Sequence, residues 1–314
     1  MAKEYRVFIS YSHKDREKVN EIEDILKANH LRLMSDANFI YGGSFHVQIK
    51  NFISCSHVFM PFITDESSTR GWVHQEIGYT IALDIPVLPI TLDLIPVEML
   101  QHLLAVSYTD NMEELRARLS IGTFERLVNK AVKTSRPQYY CEELPEDRTE
   151  MMIEYSTMVL GYHGMVCQKD GEHFRANRCH MQRQERQALE KHVSEAGCRL
   201  IVNPYLNYKQ YGPKAKYARL TELVEFLKSS SANIEIVAVK PKKSQDYLTI
   251  VGDWFAAQAI AANMMEGIKH TIFTCHAHSI ESQIELCDEE FNSLLTEMGV
   301  APEKSKIVAL EMFE

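Results

Sequence analysis

The sequence predicts an α/β protein in two parts, a doubly wound parallel sheet followed by a second α/β domain. Over roughly the first 135 residues, strand-like and helix-like stretches alternate, which is typical of a parallel sheet covered by helices on both faces. Val58–Ile63 is apolar at nearly every position, as expected of a strand that is buried on both faces. With 314 residues, the chain is long enough for two cores of ordinary size.

The elements of the first part follow from apolar spacing and from capping residues. Val19, Ile22 and Leu26 recur at helical intervals after Asp15, whose carboxylate can cap a first helix. The predicted strands are Arg6–Tyr11, Leu31–Met34, Val58–Ile63, Ile85–Leu92 and Leu103–Ser107, and the predicted helices are Asp15–Asn29, Ser44–Cys55, Trp72–Leu83 and Met112–Lys133.

A segment with two prolines and paired glutamates separates the two parts. We expect a first domain over residues 1–135, a linker over 136–148 and a second domain over 149–314. In the second domain the predicted helices are Arg178–Glu195, Lys216–Lys228, Trp254–Met265 and Ser279–Met298, and the predicted strands are Arg199–Pro204, Ile234–Val239, Asp246–Val251 and Thr271–Cys275.

Composition excludes several classes of protein. The chain is 45% hydrophobic and 25% charged, as in soluble globular proteins, and its net charge of -9 argues against general binding to nucleic acids or membrane surfaces. It shows no apolar run of membrane-spanning length, leader or lipidation signal, so we expect a cytoplasmic protein without a membrane partner. Seven scattered cysteines without a Cys-x-x-Cys pair predict reduced thiols and no metal site.

One pair of residues carries the clearest chemistry. Trp72 and Glu76 are four positions apart at the start of a predicted helix, so both side chains lie on one helical face. An indole beside a fixed carboxylate can hold a cationic base and stabilise a ribose that becomes cationic as its bond to that base breaks. The alternative is an ordinary surface, with Trp72 as a core anchor and Glu76 as a solvated carboxylate.

Three motifs in order resemble those of TIR domains, in particular the bacterial and axonal ones that cleave NAD. They are the strand end Phe8–Asp15 (FISYSHKD), the glycine-ended loop Asp36–Gly43 and Trp72-x-x-x-Glu76. The resemblance covers roughly the first 135 residues and implies a flavodoxin-like parallel sheet in which Glu76 is catalytic. By the same resemblance, the residues of the strand end and the loop that would border the substrate NAD⁺ are Ser10, Tyr11, Ser12, Asp36, Phe39 and Gly43. Trp72 can stack on one of its bases, and Lys14 is the nearest positive charge for its diphosphate. Ser10 and Ser12 can hydrogen-bond the ribose or a phosphate, or else simply cap the helix that follows. No cofactor is implied, because NAD⁺ is the substrate.

The resemblance also implies a biological role. Such proteins release nicotinamide from NAD⁺, by hydrolysis or by forming a cyclic isomer, as immune effectors against phage, and their TIR domains self-associate. The loop Asp36–Gly43 would then be a lid and an association surface, or else an ordinary connection. Because fold alone does not settle function, a non-enzymatic TIR adaptor or a nucleic-acid-sensing regulator remains the alternative.

The second domain is predicted to gate the first by sensing a ligand or by assembling. Between His173 and Leu220 lie ten basic and three acidic residues with tyrosines among them, which suits a phosphorylated nucleotide or a nucleic-acid strand. The equally weighted alternative is a solvated basic face that docks on an acidic neighbour. The candidate effector-binding residues are Arg175, Arg178, Arg183, Arg186, Lys214 and Lys216. The stretch from Leu200 to Leu295 loosely resembles half of a phospholipase-D-type fold without its catalytic His and Lys.

The last predicted strand runs into Cys275-His276-Ala277-His278. Two histidines two positions apart on a strand point to the same side and can bind a metal or a phosphate. Because the sequence offers no clear third ligand, a structural role is the favoured interpretation.

Overall fold

The computed structural model describes residues 5–34, 45–68, 70–92, 103–109, 111–136, 138, 140–141, 166–169, 187, 190–202, 212–230, 233–238, 248–263 and 268–313. The chain divides into two compact units, one of residues up to Gln138 together with Cys275–Ser279, the other of Tyr139–Thr274 and Ile280 onwards. The domain limits and the linker inferred from the sequence stay predictions.

The first unit is built on a five-stranded parallel sheet, which confirms the predicted α/β class. Its order, β2-β1-β3-β4-β5, is that of flavodoxin-like folds, and the direction of strand order reverses between β1 and β3. The strands are β1 (Arg6–Ser10), β2 (Arg32–Met34), β3 (Val58–Ile63), β4 (Ile90–Thr91) and β5 (Val106–Ser107). The helices are α1 (Arg16–Ala28), α2 (Phe45–Cys55), α3 (Asp65–Ser68), α4 (Gly71–Ala82), α5 (Met112–Arg118) and α6 (Ile121–Thr134), and a 3₁₀ turn at His13–Asp15 precedes α1.

Strand β1 is buried on both faces of the sheet and separates two packing layers. Val7 and Ile9 pack in a cluster with Ile22 and Leu26 of α1. Phe8 points the other way, where its ring stacks on Phe59 of β3 at 5.8 Å. Alternation along β1 therefore places Ser10 on the face that carries α2 and α4.

Two predicted elements of the first unit were wrong in extent. The single helix predicted at Met112–Lys133 is two helices, because the backbone at Ser120 is extended, with ψ 153°, and Ser120 is the N-cap residue of α6. The strand predicted at Ile85–Leu92 pairs as a strand only at Ile90–Thr91, with an isolated bridge at Val87. Proline lacks the amide hydrogen that a sheet requires, and the two prolines of this stretch account for its shortness.

The second unit contains a mixed sheet of seven described strands, ordered β6-β12-β11-β10-β7-β8-β9. Strands β7, β8 and β9 are parallel, and the remaining pairs are antiparallel. The strands are β6 (Tyr140–Cys141), β7 (Val166–Lys169), β8 (Cys198–Val202), β9 (Ile234–Ala238), β10 (Leu248–Val251), β11 (Phe255–Asn263) and β12 (Ile268–Thr274). Residues 190–196 are helical, and the other helices are α7 (Gly212–Ser229), α8 (Ala277–Met298) and α9 (Pro302–Phe313).

The predicted helix at Trp254–Met265 was wrong, since this stretch is strand β11. Its alanines favour a helix locally, but β11 pairs with β10 on one side and with β12 on the other. Pairing on both sides satisfies the backbone hydrogen bonds of this stretch, and its buried side chains include Phe255, Ala256 and Ala257. Helix α9 was not predicted, although Pro302 at its first position is a common start signal.

Among the described residues, no helix combines the length and the apolar character needed to cross a bilayer.

Candidate active site

Helices α2 and α4 pack against each other and form a pocket between them, with about 430 Å³ of empty space that is continuous with solvent. Each helix contributes four side chains at positions i, i+3, i+4 and i+7, the spacing that brings residues to one helical face. The lining residues are His46, Ile49, Lys50 and Ile53 from α2, and Trp72, Gln75, Glu76 and Tyr79 from α4.

Glu76 is the buried acid of this pocket, with 6% of the residue exposed. The Ser10 hydroxyl donates a hydrogen bond of 2.5 Å to Glu76 Oε2. The other carboxylate oxygen, Oε1, is buried and has no hydrogen-bond partner among the described residues. A buried acceptor without a donor is costly, and such a cost at a pocket is typical of a position that a ligand completes.

Burial dominates the electrostatics of Glu76. Removal from water raises the pKa of this carboxyl from 4.5 to about 7, while the hydrogen bond from Ser10 lowers the pKa in part. A carboxyl with a pKa near neutrality changes its charge in the range where enzymes work, and strongly shifted acids concentrate at functional sites.

Helix α4 uses different side chains for packing and for the pocket. Val73, Ile77 and Thr80 are buried beneath the helix, whereas Trp72 is half-buried on the pocket wall. The Thr80 hydroxyl donates to the backbone oxygen of Glu76 at 2.7 Å, which fixes this turn of the helix.

Tyr79 forms the far end of the α4 wall. Its hydroxyl lies 3.2 Å from the Ser54 hydroxyl of α2, so a hydrogen bond joins the two helices. The Lys50 ammonium lies 5.8 Å from the centre of the Tyr79 ring, in the geometry of a cation–π contact.

The structure brings together only some of the residues predicted to bind substrate. Trp72 and Glu76 share the pocket, and Ser10 reaches it through Glu76. Ser12 is buried, and its hydroxyl has no hydrogen-bond partner among the described residues. Asp36, Phe39 and Gly43 lie outside the described residues.

Tyr11 and Lys14 are not brought to the pocket. Tyr11 packs in the cluster on the α1 side of the sheet, where the Arg16 guanidinium lies 5.5 Å from its ring centre and donates a hydrogen bond to its hydroxyl. Lys14 is exposed on the 3₁₀ turn before α1. Neither is among the described residues that line the pocket.

Sequence reasoning missed most of the pocket. His46, Lys50, Gln75 and Tyr79 were not predicted, although the α4 members could be found by stepping one and three positions from Glu76. The α2 members required the pairing of α2 with α4, which no local pattern gives.

The side chains of the candidate effector residues lie outside the described part of the chain. Arg175, Arg178, Arg183 and Arg186 lie outside the described residues. Lys214 and Lys216 belong to α7, but their side chains are outside the described part. Their role stays a prediction.

The histidines after β12 are not on a strand as predicted. His276 follows the end of β12, and His278 is in the first turn of α8. Both are buried within the first unit, and burial lowers the pKa of His276 to about 4. His276 Nδ1 lies 2.8 Å from the Ser279 hydroxyl, and the His276 and His278 rings meet edge to face.

Residues 7–120 match the TIR domain family, so this part of the chain is a TIR domain. Comparison with curated proteins gives no match.

Solved structures with some likeness include the TIR domain of the Toll-related receptor TRR-2 from Hydra magnipapillata, at 17% identity and a TM-score of 0.34, over 39% of this chain and 98% of that one. The CMP N-glycosidase BcmB from Clostridium botulinum has 17% identity and a TM-score of 0.28, over 36% and 97%. A TIR-STING receptor from C. gigas, in complex with 2′,3′-cGAMP, has 12% identity and a TM-score of 0.32, over 98% and 82%. At these values the structural likenesses are too weak to indicate an activity. The predicted likeness to a phospholipase-D-type fold stays a prediction.

Proposed function

Taking residues 7–120 as a TIR domain, we propose that the chain cleaves the N-glycosidic bond of NAD⁺ and releases nicotinamide, with Glu76 as the catalytic carboxylate. One observation carries this proposal: Glu76 is a buried acid in a pocket beside an indole, with one oxygen held by Ser10 and the other unpartnered. A glutamate with only a structural role is normally solvated at the surface, so the burial of Glu76 in a pocket favours a functional role.

Cleavage of this bond requires mainly that the protein place a negative charge beside the ribose and hold the substrate in position. Nicotinamide in NAD⁺ is a cationic leaving group, so it departs with the bonding electron pair as a neutral molecule and needs no acid. Positive charge then develops on the ribose, and the Glu76 carboxylate stabilises this charge in a site of low dielectric constant. Water adds to the ribose carbon and loses a proton to solvent, which gives ADP-ribose. An internal nucleophile in place of water gives a cyclic isomer.

Trp72 would hold the base. Its half-buried indole lines the pocket on the same helical face as Glu76. A cationic ring is attracted to an indole face more strongly than the neutral ring that remains after cleavage. Product nicotinamide would therefore leave more readily than substrate.

We further propose that the TIR domain is an immune effector in anti-phage defence, with NAD⁺ loss as its output and with activity limited to an assembled state. The second unit would control assembly by sensing a nucleotide or nucleic-acid trigger. Support for the sensor comes from the basic segment between His173 and Leu220, which carries +7 in a chain whose net charge is -9. A cytoplasmic location follows from the same proposal, because NAD⁺ is the substrate.

The deciding experiment measures nicotinamide release at high protein concentration. Wild-type protein should release nicotinamide, and Glu76→Gln should not, since the amide keeps the shape of the side chain and removes the charge. Glu125→Gln, on an exposed position of α6, is the matched control and should behave like wild type. If wild-type protein releases no nicotinamide in any assembled state, the chain is a non-enzymatic TIR scaffold and the proposal fails.

A further inference from the structure

The wall of the pocket opposite Glu76 changes character along α2. Ile49 and Ile53 are buried, with 7% and 0% of each residue exposed, while His46 and Lys50 of the same stripe are exposed. The pocket therefore has an apolar floor and a basic rim, and its acid, Glu76, is on the other helix.

The ammonium group of Lys50 has no carboxylate partner among the described residues. Its described contact is with the ring of Tyr79, whose hydroxyl is itself held by Ser54. A ring tied in this way is a fixed platform, and a lysine resting on it is partly ordered before any ligand binds. A cation that is ordered and lacks a counter-ion suits an anionic group of a ligand.

Lys50 and Glu76 lie on different walls of the pocket, Lys50 on α2 and Glu76 on α4. Axes of packed helices are about 8–10 Å apart, which is on the scale of a nucleoside 5′-phosphate, so one such ligand can contact both walls. With the ribose and its cationic base at Glu76 and Trp72, the 5′-phosphate would extend towards the α2 wall. The sequence had offered Lys14 as the nearest positive charge for a phosphate, but Lys14 does not line the pocket among the described residues.

We propose that Lys50 binds the 5′-phosphate next to the ribose that is cleaved, so the pocket selects phosphorylated nucleotides over nucleosides. This inference rests on the proposed glycosidic cleavage at Glu76. It adds a specificity-determining residue and a substrate requirement that the cleavage chemistry alone does not impose, since the same bond is present in nicotinamide riboside.

The test compares two substrates that differ by one phosphate. Wild-type protein should have a higher kcat/KM for nicotinamide mononucleotide than for nicotinamide riboside. Lys50→Gln should lower kcat/KM for the mononucleotide by roughly ten- to a hundredfold, the scale of a hydrogen bond to a charged group, and leave that for the riboside within about twofold. Lys50→Arg should retain most of the preference. Lys130→Gln, an exposed lysine of α6, is the control for loss of one surface charge.

Equal losses on both substrates, or no loss on either, would overturn the assignment to Lys50. A binding measurement separates this failure from failure of the proposed cleavage. Calorimetric titration of nicotinamide mononucleotide into Glu76→Gln protein, with and without Lys50→Gln, needs no turnover. Weaker binding in the double variant supports the phosphate contact even if no nicotinamide is ever released, and equal binding refutes it.

Discussion

The Ser10 hydroxyl at the end of β1 donates a hydrogen bond to the Glu76 carboxylate of α4, across 66 positions of sequence. This bond joins the carboxyl end of a central strand to the candidate catalytic acid at the point where strand order reverses, which is where open α/β sheets bind ligands. Ser10 was predicted to contact the substrate ribose or phosphate. In the structure its hydroxyl is bonded to the carboxylate, and a contact with substrate stays a prediction.

Ser10→Ala should move the pH dependence of nicotinamide release. The hydrogen bond from Ser10 lowers the pKa of Glu76, so its loss raises this pKa and the carboxylate forms at higher pH. The acid limb of kcat/KM should therefore shift to more alkaline pH, with a larger loss of activity at pH ~6 than at pH ~8.5. Ser56→Ala, which removes a buried hydroxyl bonded to the Ile53 backbone oxygen, serves as the control. A loss that is uniform over pH would show that Ser10 acts only on folding.

In wild-type protein the acid limb itself should have its midpoint at a pH of about 7. The active form of Glu76 is the carboxylate, and its pKa is about 7, so activity should rise as pH increases through this value. Measurement of kcat/KM from pH ~5 to ~9 checks this. A limb centred near 4.5, the ordinary value for glutamate, would mean that the acid is solvated in the free enzyme.

Glu76→Gln should stabilise the protein at alkaline pH. The folded-state pKa of about 7 lies above the ordinary 4.5, so the folded form holds a proton that the unfolded form has released. The favourable contribution of the neutral acid is complete below pH ~4.5 and is lost as pH rises through 7. The gain from Gln should thus grow by roughly 2 kcal/mol between pH 5.5 and 8.5, at 1.36 kcal/mol per pKa unit.

Urea unfolding of both proteins at the two pH values measures this gain. Glu125→Gln should show no comparable growth, because that glutamate is exposed. A difference between wild type and Glu76→Gln that stays constant with pH would contradict a raised pKa at Glu76.

Trp72→Ala should lower kcat/KM for NAD⁺ by roughly three- to thirtyfold, the scale of a cation–π contact of about 0.5–2 kcal/mol. Trp72→Phe should recover part of the loss, since a smaller ring still presents a π face to the cation. Ile81→Ala changes an exposed residue of the same helix and controls for weakening of α4. Equal effects of Trp72→Ala and Ile81→Ala would indicate that the indole serves only to stabilise the helix.

Phe291→Ala should destabilise the second unit by about 3–5 kcal/mol. Phe291 is fully buried on α8, and its loss leaves a cavity in the core of that unit. The Arg199 guanidinium, which lies 4.7 Å from the ring centre and forms ion pairs with Glu235 and Asp288, would also lose its platform. Chemical denaturation of the full chain measures the change, with exposed Ser293→Ala as the control. A change below about 1 kcal/mol would contradict this core.

Charge reversal at Arg183 and Arg186 should abolish activation by an anionic trigger, if the basic segment is the sensor. Basal nicotinamide release should stay unchanged, because these residues are predicted to lie outside the TIR domain. Binding of a candidate nucleic acid should weaken steeply with salt in wild-type protein. Reversal of Lys130 and Lys133 on α6 is the control, and activation that survives at Arg183 and Arg186 would count against a trigger at that segment.

The sheet of the first unit was predictable because its strands are short, apolar and separated by helices with clear spacing. Val58–Ile63 was predicted with the bounds that the structure has, since a run of only six apolar residues is typical of a strand buried on both faces. Strand β11 was not predictable in the same way. Its alanines have a high helix propensity, and the stretch is a strand only because it pairs with β10 and β12.

The candidate site likewise has a part that the sequence predicted and a part that it did not. Trp72 and Glu76 are neighbours on one helix, so their spacing alone placed them together. Lys50 and Glu76 are 26 positions apart on separate helices, and only packing brings them to one pocket. Sequence patterns predict contacts within an element well and contacts between elements poorly.

Helix α4 uses one set of residues to pack against the domain and another to line the pocket. Val73, Ile77 and Thr80 support the fold, while Trp72, Gln75 and Tyr79 face the pocket. Substitutions in the second set can change ligand preference without replacing the buried residues beneath the helix. Within α4, Glu76 alone belongs to both sets, because it is buried in the domain and also lines the pocket. It is therefore the position at which selection for activity and selection for stability oppose each other.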